Sequence, residues 1–270
     1  MVIDGRQIAE EISISLKDQV FSKNLKLKLA VVLVGDDPEF RKFVELKGKA
    51  AEKVGVEFKI FQFDKNIDEN VLVNYGKKIC RDFNGVLVEL PLPACFDQQK
   101  ILDLIPVEKD VDVLSNQAQD LFYSNKSKIM PPAVEALKII FEKYNIDLQA
   151  KKVAVFGQGV LIGKPIAYWL EQQGAEVYRI RSATKNPQEY SKKADIVISG
   201  VGKPGLITGD IVKEGAVVID FGYGKKDNKM VGDVDLNSVG LKALLVTPVP
   251  GGMGPILIVA VLKNLIELNS

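Results

Sequence analysis

Apolar positions along the chain follow two spacings. Ile8, Ile12, Leu16 and Val20 recur at helical spacing and predict a helix over residues 4–22. Leu29–Val34 (LAVVLV), Glu57–Phe63 and Gly85–Leu90 (GVLVEL) are short apolar runs that predict strands. Between the first two, Asp37 supplies an N-cap, Pro38 a first-turn proline and Gly55 a stop. The helix they bound runs through Phe43 and Lys47 to about Val54. Further helices are expected over Asn70–Arg81 and Gln98–Leu104, followed by a loop from Pro106 to Asp112. This alternation of strand and helix predicts a parallel sheet. Leu114–Met130 is polar and weakly patterned, and reads as a boundary or a surface excursion. Pro132–Tyr144 is expected to be a helix leading into the second half.

The second half is organised around Lys152–Pro165, KVAVFGQGVLIGKP. Val153–Phe156 predicts a strand buried on both faces. Gly157 and Gly159 permit a sharp turn, and Gly163 lets a new helix lie against the strand. Such a turn aims free backbone N–H groups and a helix dipole at one point, which suits a phosphate. The spacing G-x-G-x-x-x-G is one residue longer than the usual dinucleotide fingerprint, so its context carries the reading. Glu176–Ile180, Ile196–Gly200 and Ala216–Phe221 supply further strands in a run of βαβ units. Thr247–Pro255 reads as a stiff Pro/Gly loop before a last helix ending near Leu268.

Composition narrows the chemistry. The chain of 270 residues is 47% hydrophobic and 26% charged, which is ordinary for a globular protein and long enough for two domains. A net charge of +1 recruits neither nucleic acid nor an anionic membrane. The start, MVIDGRQIAEE, does not read as a signal peptide, and the apolar run Pro255–Leu262 is too short to span a bilayer. Cys80 and Cys95 have no C-x-x-C spacing and read as structural fillers in a reduced, cytoplasmic protein. There is no histidine, which removes Ser-His-Asp and Cys-His catalysis and histidine-ligated metal. Proton transfer must then use Lys, Asp, Glu, Tyr or water, and no metal is expected.

Several segments together resemble one family. VGDDPEFRKFVELKGKAAEKVG, GVLVELPLP, PVEKDVD, GQGVLIGKP, VGKPGLI, GAVVIDFGYG, GDVD and TPVPGGMGP occur in the order and spacing of the bifunctional methylenetetrahydrofolate dehydrogenase/cyclohydrolases, from about residue 2 to 268. The resemblance implies an α/β protein of two domains with an active-site cleft between them. One is an α/β substrate (folate) domain over residues 1–123 and 252–270. The other is a Rossmann-type parallel-sheet NAD(P)-binding domain over residues 124–251. It implies oxidation of 5,10-methylenetetrahydrofolate to the methenyl form with hydride passed to a nicotinamide. Hydrolysis to 10-formyltetrahydrofolate follows in the family, within one-carbon metabolism that feeds purine biosynthesis. A cytoplasmic homodimer with a small-molecule folate substrate is implied as well.

The family's functional positions carry over residue by residue, with departures. Its Tyr and Lys one helical turn apart after GDDP fall on Phe43 and Lys47, so the ring remains and the phenol hydroxyl does not. The Gln before the Leu-Pro-Leu-Pro run is Glu89 here, flanked by Val88 and Leu90. The acidic residue that holds the pterin matches Asp112. Lys47, Glu89 and Asp112 are thus the catalytic candidates. Phe43, Val88, Leu90, Pro250, Gly251 and Gly252 join them as substrate contacts. A carboxylate beside Lys47 favours the ammonium form, and a cationic lysine is a poor general base. Weakened cyclohydrolysis with retained dehydrogenation is one expectation; the other is that Glu89 itself takes the base role.

On the cofactor side the resemblance assigns Gly157, Gln158, Gly159, Ile162, Gly163, Val201, Gly202 and Tyr223, with Arg181 and Ser182 at the end of the second strand. Gln158 stands where the family has an Arg. Val113-Leu114-Ser115 stands where it has Gly-Phe-His, Met130-Pro131-Pro132 where it has Cys-Thr-Pro, and Ile180-Arg181-Ser182 where it has Cys-His-Ser. An NAD site usually has a carboxylate at the second strand's end, and here the chain reads Arg179-Ile180-Arg181-Ser182, which suits the 2′-phosphate of NADP. Two other readings stay open: a folate- or nucleotide-binding paralogue without turnover, and another two-domain NADP dehydrogenase of shikimate-dehydrogenase type.

Overall fold

The computed structural model describes residues 1–227 and 229–270. The chain divides into two compact units, Glu10–Pro132 with Ile258–Ser270, and Met1–Ala9 with Ala133–Leu257.

The first unit is built on a three-stranded parallel sheet. Helix α1 (Gly5–Ser22) leads to β1 (Lys28–Val34), α2 (Pro38–Val54), β2 (Glu57–Phe63), α3 (Glu69–Asp82) and β3 (Gly85–Val88). The order in the sheet is β2-β1-β3, and each pair is parallel. β1 is central and buried from Leu29 to Val34, which explains its unbroken apolar run. Burial of each such side chain contributes about 1.5–3 kcal/mol. The edge strand β2 is only partly buried and alternates accordingly. α3 is capped by Asp68, which accepts from Asn70 and Val71 N–H. Two short helices, α4 (Gln98–Leu102) and α5 (Asn116–Tyr123), complete this half.

The α5 helix corrects the expectation of an unpatterned excursion over Leu114–Met130. Ser115 caps it by accepting the Ala118 N–H at 3.3 Å, and Ala118 and Phe122 are buried. A helix of two turns offers too few apolar positions for its period to stand out. β3 also ends at Val88 and α4 at Leu102, earlier than the apolar runs suggested. Cys80 is buried as expected of a filler, but Cys95 is exposed.

The second unit holds α6 (Pro132–Lys143), β4 (Lys152–Phe156), α7 (Gly163–Gln172), β5 (Glu176–Ile180), α8 (Pro187–Ser191), β6 (Ile196–Ser199) and β7 (Val217–Asp220). The hairpin strands β8 (Gly224–Lys226) and β9 (Lys229–Val231), then α9 (Leu236–Val239) and β10 (Leu245–Val246), follow; α10 (Met253–Leu268) starts in this unit, and from Ile258 onward it belongs to the first. Five strands form a parallel sheet in the order β10-β7-β6-β4-β5. The order reverses between β4 and β6, the place where doubly wound sheets bind ligands at the strands' carboxyl ends. The amino terminus belongs to this sheet's edge: Val2 bridges Val246, and the Ile3 N–H donates to the Val246 carbonyl at 2.9 Å. The hairpin and the two-residue strand β10 lack a period long enough to be read in advance. Among the described residues no helix is long and apolar enough to cross a membrane.

Candidate active site

In the first unit, α2 presents Phe43 and Lys47 on one face. Its start is fixed by Asp37, whose carboxylate accepts the Glu39 N–H at 2.8 Å, with Pro38 behind it, and its end by Gly55. One turn of helix separates the two residues, and the Lys47 ammonium lies 4.8 Å from the Phe43 ring centroid. Lys47 is buried and forms an ion pair with Glu89; each side chain is 9% exposed. Glu89 continues β3 by one residue: its N–H donates to the Val32 carbonyl at 2.9 Å. Val88 beside it is buried and Leu90 half-buried.

Asp112 completes this group. The loop that carries it runs parallel to β3, through a bridge between Val86 and Asp110 and a Val86 N–H bond to the Lys109 carbonyl at 2.9 Å. That register brings Asp112 level with the end of β3. The Asp112 carboxyl is half-buried by its own surface, yet enough protein surrounds it that desolvation pushes its pKa up to about 7. Lys47 opposes that rise, and the charges of Glu89 and Asp110 add to it. The structure therefore brings Phe43, Lys47, Glu89 and Asp112 together.

Two residues that hold this loop were not anticipated. Asp110 accepts the N–H groups of Leu114 and Ser115 at 3.0 and 2.7 Å, and burial raises its pKa while those bonds oppose the rise. Asn264 is fully buried and donates to the carbonyls of Val111 and Met130 at 2.9 and 2.8 Å. An Asn inside the apolar stretch Ile256–Ile266 was the available signal, since a buried amide needs partners. Next to Asp112, Val113 adopts φ 58°, a left-handed conformation that costs a β-branched residue about 1–3 kcal/mol.

In the second unit, the glycine turn follows β4. Gly157 has φ 87°, and its N–H donates to the Ile180 carbonyl at the end of β5 at 3.0 Å. A Cβ on Gly163 would sit 1.9 Å from the Gly157 carbonyl oxygen, so only glycine lets α7 begin there. A Cβ on Gly159 would meet nothing within 4 Å. No side chain caps α7 at Ile162; the Lys164 N–H donates to the Gly159 carbonyl at 3.1 Å, and the dipole of α7 meets no capping carboxylate. An open glycine turn with an uncapped helix fits the pyrophosphate of a dinucleotide.

Gln158 does not offer a charge. Its amide donates to the Gly157 carbonyl at 2.7 Å, and its oxygen accepts from Arg179 at 3.4 Å. Arg179 is itself engaged by both Glu171 carboxylate oxygens at 2.8 Å. Arg181 and Ser182 are exposed just past β5, with the Arg181 N–H held by the Thr184 hydroxyl at 2.9 Å. Val201 and Tyr223 are 47% and 46% exposed on the loops after β6 and β7, and Gly202 packs beneath the Tyr223 carbonyl. Pro250, Gly251 and Gly252 belong to this unit rather than to the one with Lys47; the Gly251 carbonyl accepts the Gly5 N–H at 2.9 Å. Two buried carboxylates on these loops, Asp220 and Asp233, were also missed.

Comparison with known proteins bears on both units. Residues 3–112 match the family model described as tetrahydrofolate dehydrogenase/cyclohydrolase, catalytic domain, and residues 131–270 its NAD(P)-binding domain. A bifunctional protein FolD of Hydrogenobaculum sp. is 39% identical over 98% of this chain and 97% of its own. That of Mycoplasmopsis synoviae is 39% identical over 99% of each. The solved bifunctional enzyme FolD of Campylobacter jejuni superposes with a TM-score of 0.95 at 33% identity, covering 99% of this chain and 98% of its own. A Trypanosoma brucei FolD solved with NADP cofactor and inhibitor gives 0.95 at 29% identity, covering 99% and 96%.

Proposed function

Because the chain belongs to the tetrahydrofolate dehydrogenase/cyclohydrolase family, we propose that it oxidises 5,10-methylenetetrahydrofolate with NADP and that its cyclohydrolase step is weakened. The family membership and an intact glycine turn support the dehydrogenase. The Lys47–Glu89 ion pair is the observation that carries the second clause.

Hydride transfer asks for little acid–base work from the protein. Its rate depends on holding two rings in register, and residues that bind and orient them serve that end. Phe43 offers a ring face to the folate, and Asp112 a carboxyl for the pterin's polar edge. Gly157, Gly159 and the start of α7 would hold the pyrophosphate, and Arg181 with Ser182 the 2′-phosphate. NADP supplies a hydride acceptor when bound.

Hydrolysis is different, because a water must lose a proton as it attacks. An amine that pairs with a carboxylate is a poor acceptor for that proton. The engaged state of Lys47 thus supports a slow second step. Substrate contacts at Val88, Leu90 and Pro250–Gly252, a cytoplasmic location and a homodimer form part of the same proposal, on the strength of the family resemblance.

One assay tests it: methylenetetrahydrofolate with NADP, following NADPH and the methenyl product together. NADPH formation with transient accumulation of the methenyl form is expected. No NADPH, or a higher kcat/KM with NAD, overturns the oxidoreductase or the cofactor assignment respectively.

A further inference from the structure

Asp220 ends β7, and Asp233 lies in the GDVD segment; they are 2% and 0% exposed. Asp233 accepts the Ser199 hydroxyl at 2.6 Å and the N–H groups of Val201 and Lys203 at 2.8 and 2.6 Å. Asp220 accepts the N–H groups of Gly222, Asp233 and Val234 at 2.7, 3.2 and 2.9 Å. The Asp220 N–H donates to the Thr247 hydroxyl at 2.7 Å. Space for this is made crosswise. A Cβ on Gly222 would lie 2.3 Å from Asp233 Cγ, and one on Gly232 would lie 2.0 Å from Asp220 Oδ2. Loops after β6, β7 and β9 are tied together by two carboxylates, and the Asp220 backbone adds Thr247 just past β10.

Burying two like charges side by side is costly. Desolvation, with Asp233 adding, pushes Asp220 up to about 6 despite its backbone donors. Apolar side chains would fill the same space without that penalty. What they could not supply is acceptors for backbone N–H groups that have left the sheet's ladder. The N–H groups of Val201 and Lys203 are such donors. They stand at the carboxyl edge of a parallel sheet, where this architecture takes its ligand.

We propose that Asp233 is a positioning residue for dinucleotide binding: through the Val201 and Lys203 N–H groups it fixes the loop after β6, and Asp220 holds Asp233 in turn. This role rests on the dinucleotide reading of the second unit. It gives the GDVD segment a function that a surface turn would not have.

The test uses the full chain, with NADP binding measured by calorimetry. The Val201 and Lys203 N–H groups each have their own Asp233 oxygen, so Asp233→Asn leaves one of them without an acceptor, and its Kd for NADP is expected to rise at least about tenfold. The KM for folate at saturating NADP should change less than about twofold, which a general loss of structure would not spare. Ser199→Ala removes the hydroxyl but leaves both backbone bonds; it should bind NADP within about twofold of the parent while melting lower. A folded Asp233→Asn that binds NADP as the parent does overturns the proposal, and so does Ser199→Ala weakening binding equally. Should Asp233→Asn not fold, amide exchange on the unaltered chain decides. Val201 and Lys203 should exchange at least about a hundredfold more slowly than exposed Gly205, and equal rates overturn the proposal. A parent that binds neither NADP nor NAD sinks the dinucleotide reading instead, and the exchange rates still test the latch.

Discussion

Lys47 and Glu89 form a buried ion pair between a helix and the end of a strand, with the Phe43 ring against the ammonium. Glu89→Gln keeps an oxygen for the amine and removes the fixed counter-charge. Cyclohydrolase kcat/KM is expected to rise about tenfold, with dehydrogenation changed less than about threefold. Decay of methenyl absorbance reads the first and NADPH the second. Unchanged hydrolysis counts against the assignment, and a large fall moves the base role to Glu89. Lys47→Met should destabilise by about 3–5 kcal/mol, since it leaves a carboxylate buried and unpaired. Lys47→Met combined with Glu89→Gln should recover most of that loss in chemical denaturation.

Asp112 gives a pH dependence with a definite sign. Its folded pKa of about 7 lies above the ordinary aspartate value of 3.8. The folded state then binds a proton that the unfolded state has released between those values. Its contribution to stability is fully present below about pH 4 and is lost as pH rises through about 7. Asp112→Asn removes that dependence. The melting temperature of the variant relative to the parent should therefore climb from about pH 5 to about pH 8. A flat difference would place the carboxyl in a better-solvated setting.

These groups differ in how far the sequence reveals them. The α2 helix was legible because cap, first-turn proline and terminal glycine are local signals, and Phe43 and Lys47 follow from its period. Asp112 and Glu89 were identified as members of a familiar set, but their closeness depends on a loop running parallel to β3, which no local pattern encodes. Asn264 lies far along the chain from Val111, so its bond to that carbonyl is tertiary information. The same holds for Asp220 and Asp233, each of which reads alone as an acidic residue after an apolar run. The backbone of the glycine turn was legible in advance, because its constraints are set within a few residues.

The family resemblance implies a glycine at the position of Val113, and the φ of 58° found there lies in the region that favours glycine. Val113→Gly relieves left-handed strain but loosens the unfolded chain. Strain of about 1–3 kcal/mol exceeds the roughly 0.5–1 kcal/mol entropic cost of glycine. The loss of a side chain that is 2% exposed costs about 1.5–3 kcal/mol in turn. The opposing effects nearly cancel, and a net destabilisation of about 1 kcal/mol is expected in urea denaturation. Destabilisation of about 3 kcal/mol or more would equal the packing and entropy losses alone, and would mean that the left-handed φ carries no strain.

On the proposed reading Arg181 selects the cofactor, because the neighbouring cation is already committed. Both Arg179 bonds to Glu171 are 2.8 Å long, so that guanidinium is neutralised in place. Arg181 is exposed beyond β5, and the Thr184 hydroxyl holds its backbone rather than its side chain. A 2′-phosphate there would gain a charge-assisted bond, which a bare ribose hydroxyl would gain only weakly. Arg181→Ala should lower kcat/KM for NADP about tenfold or more and leave that for NAD within about twofold. Raising the salt concentration should narrow the parent's preference for NADP, since the contact is exposed to screening. Arg179→Ala serves as the control: it frees Glu171 to repel the phosphate from a distance, so its loss should be smaller. If Arg179→Ala proves the more damaging substitution, the phosphate lies over the Glu171–Arg179 pair, and selectivity comes from that pair opening on binding.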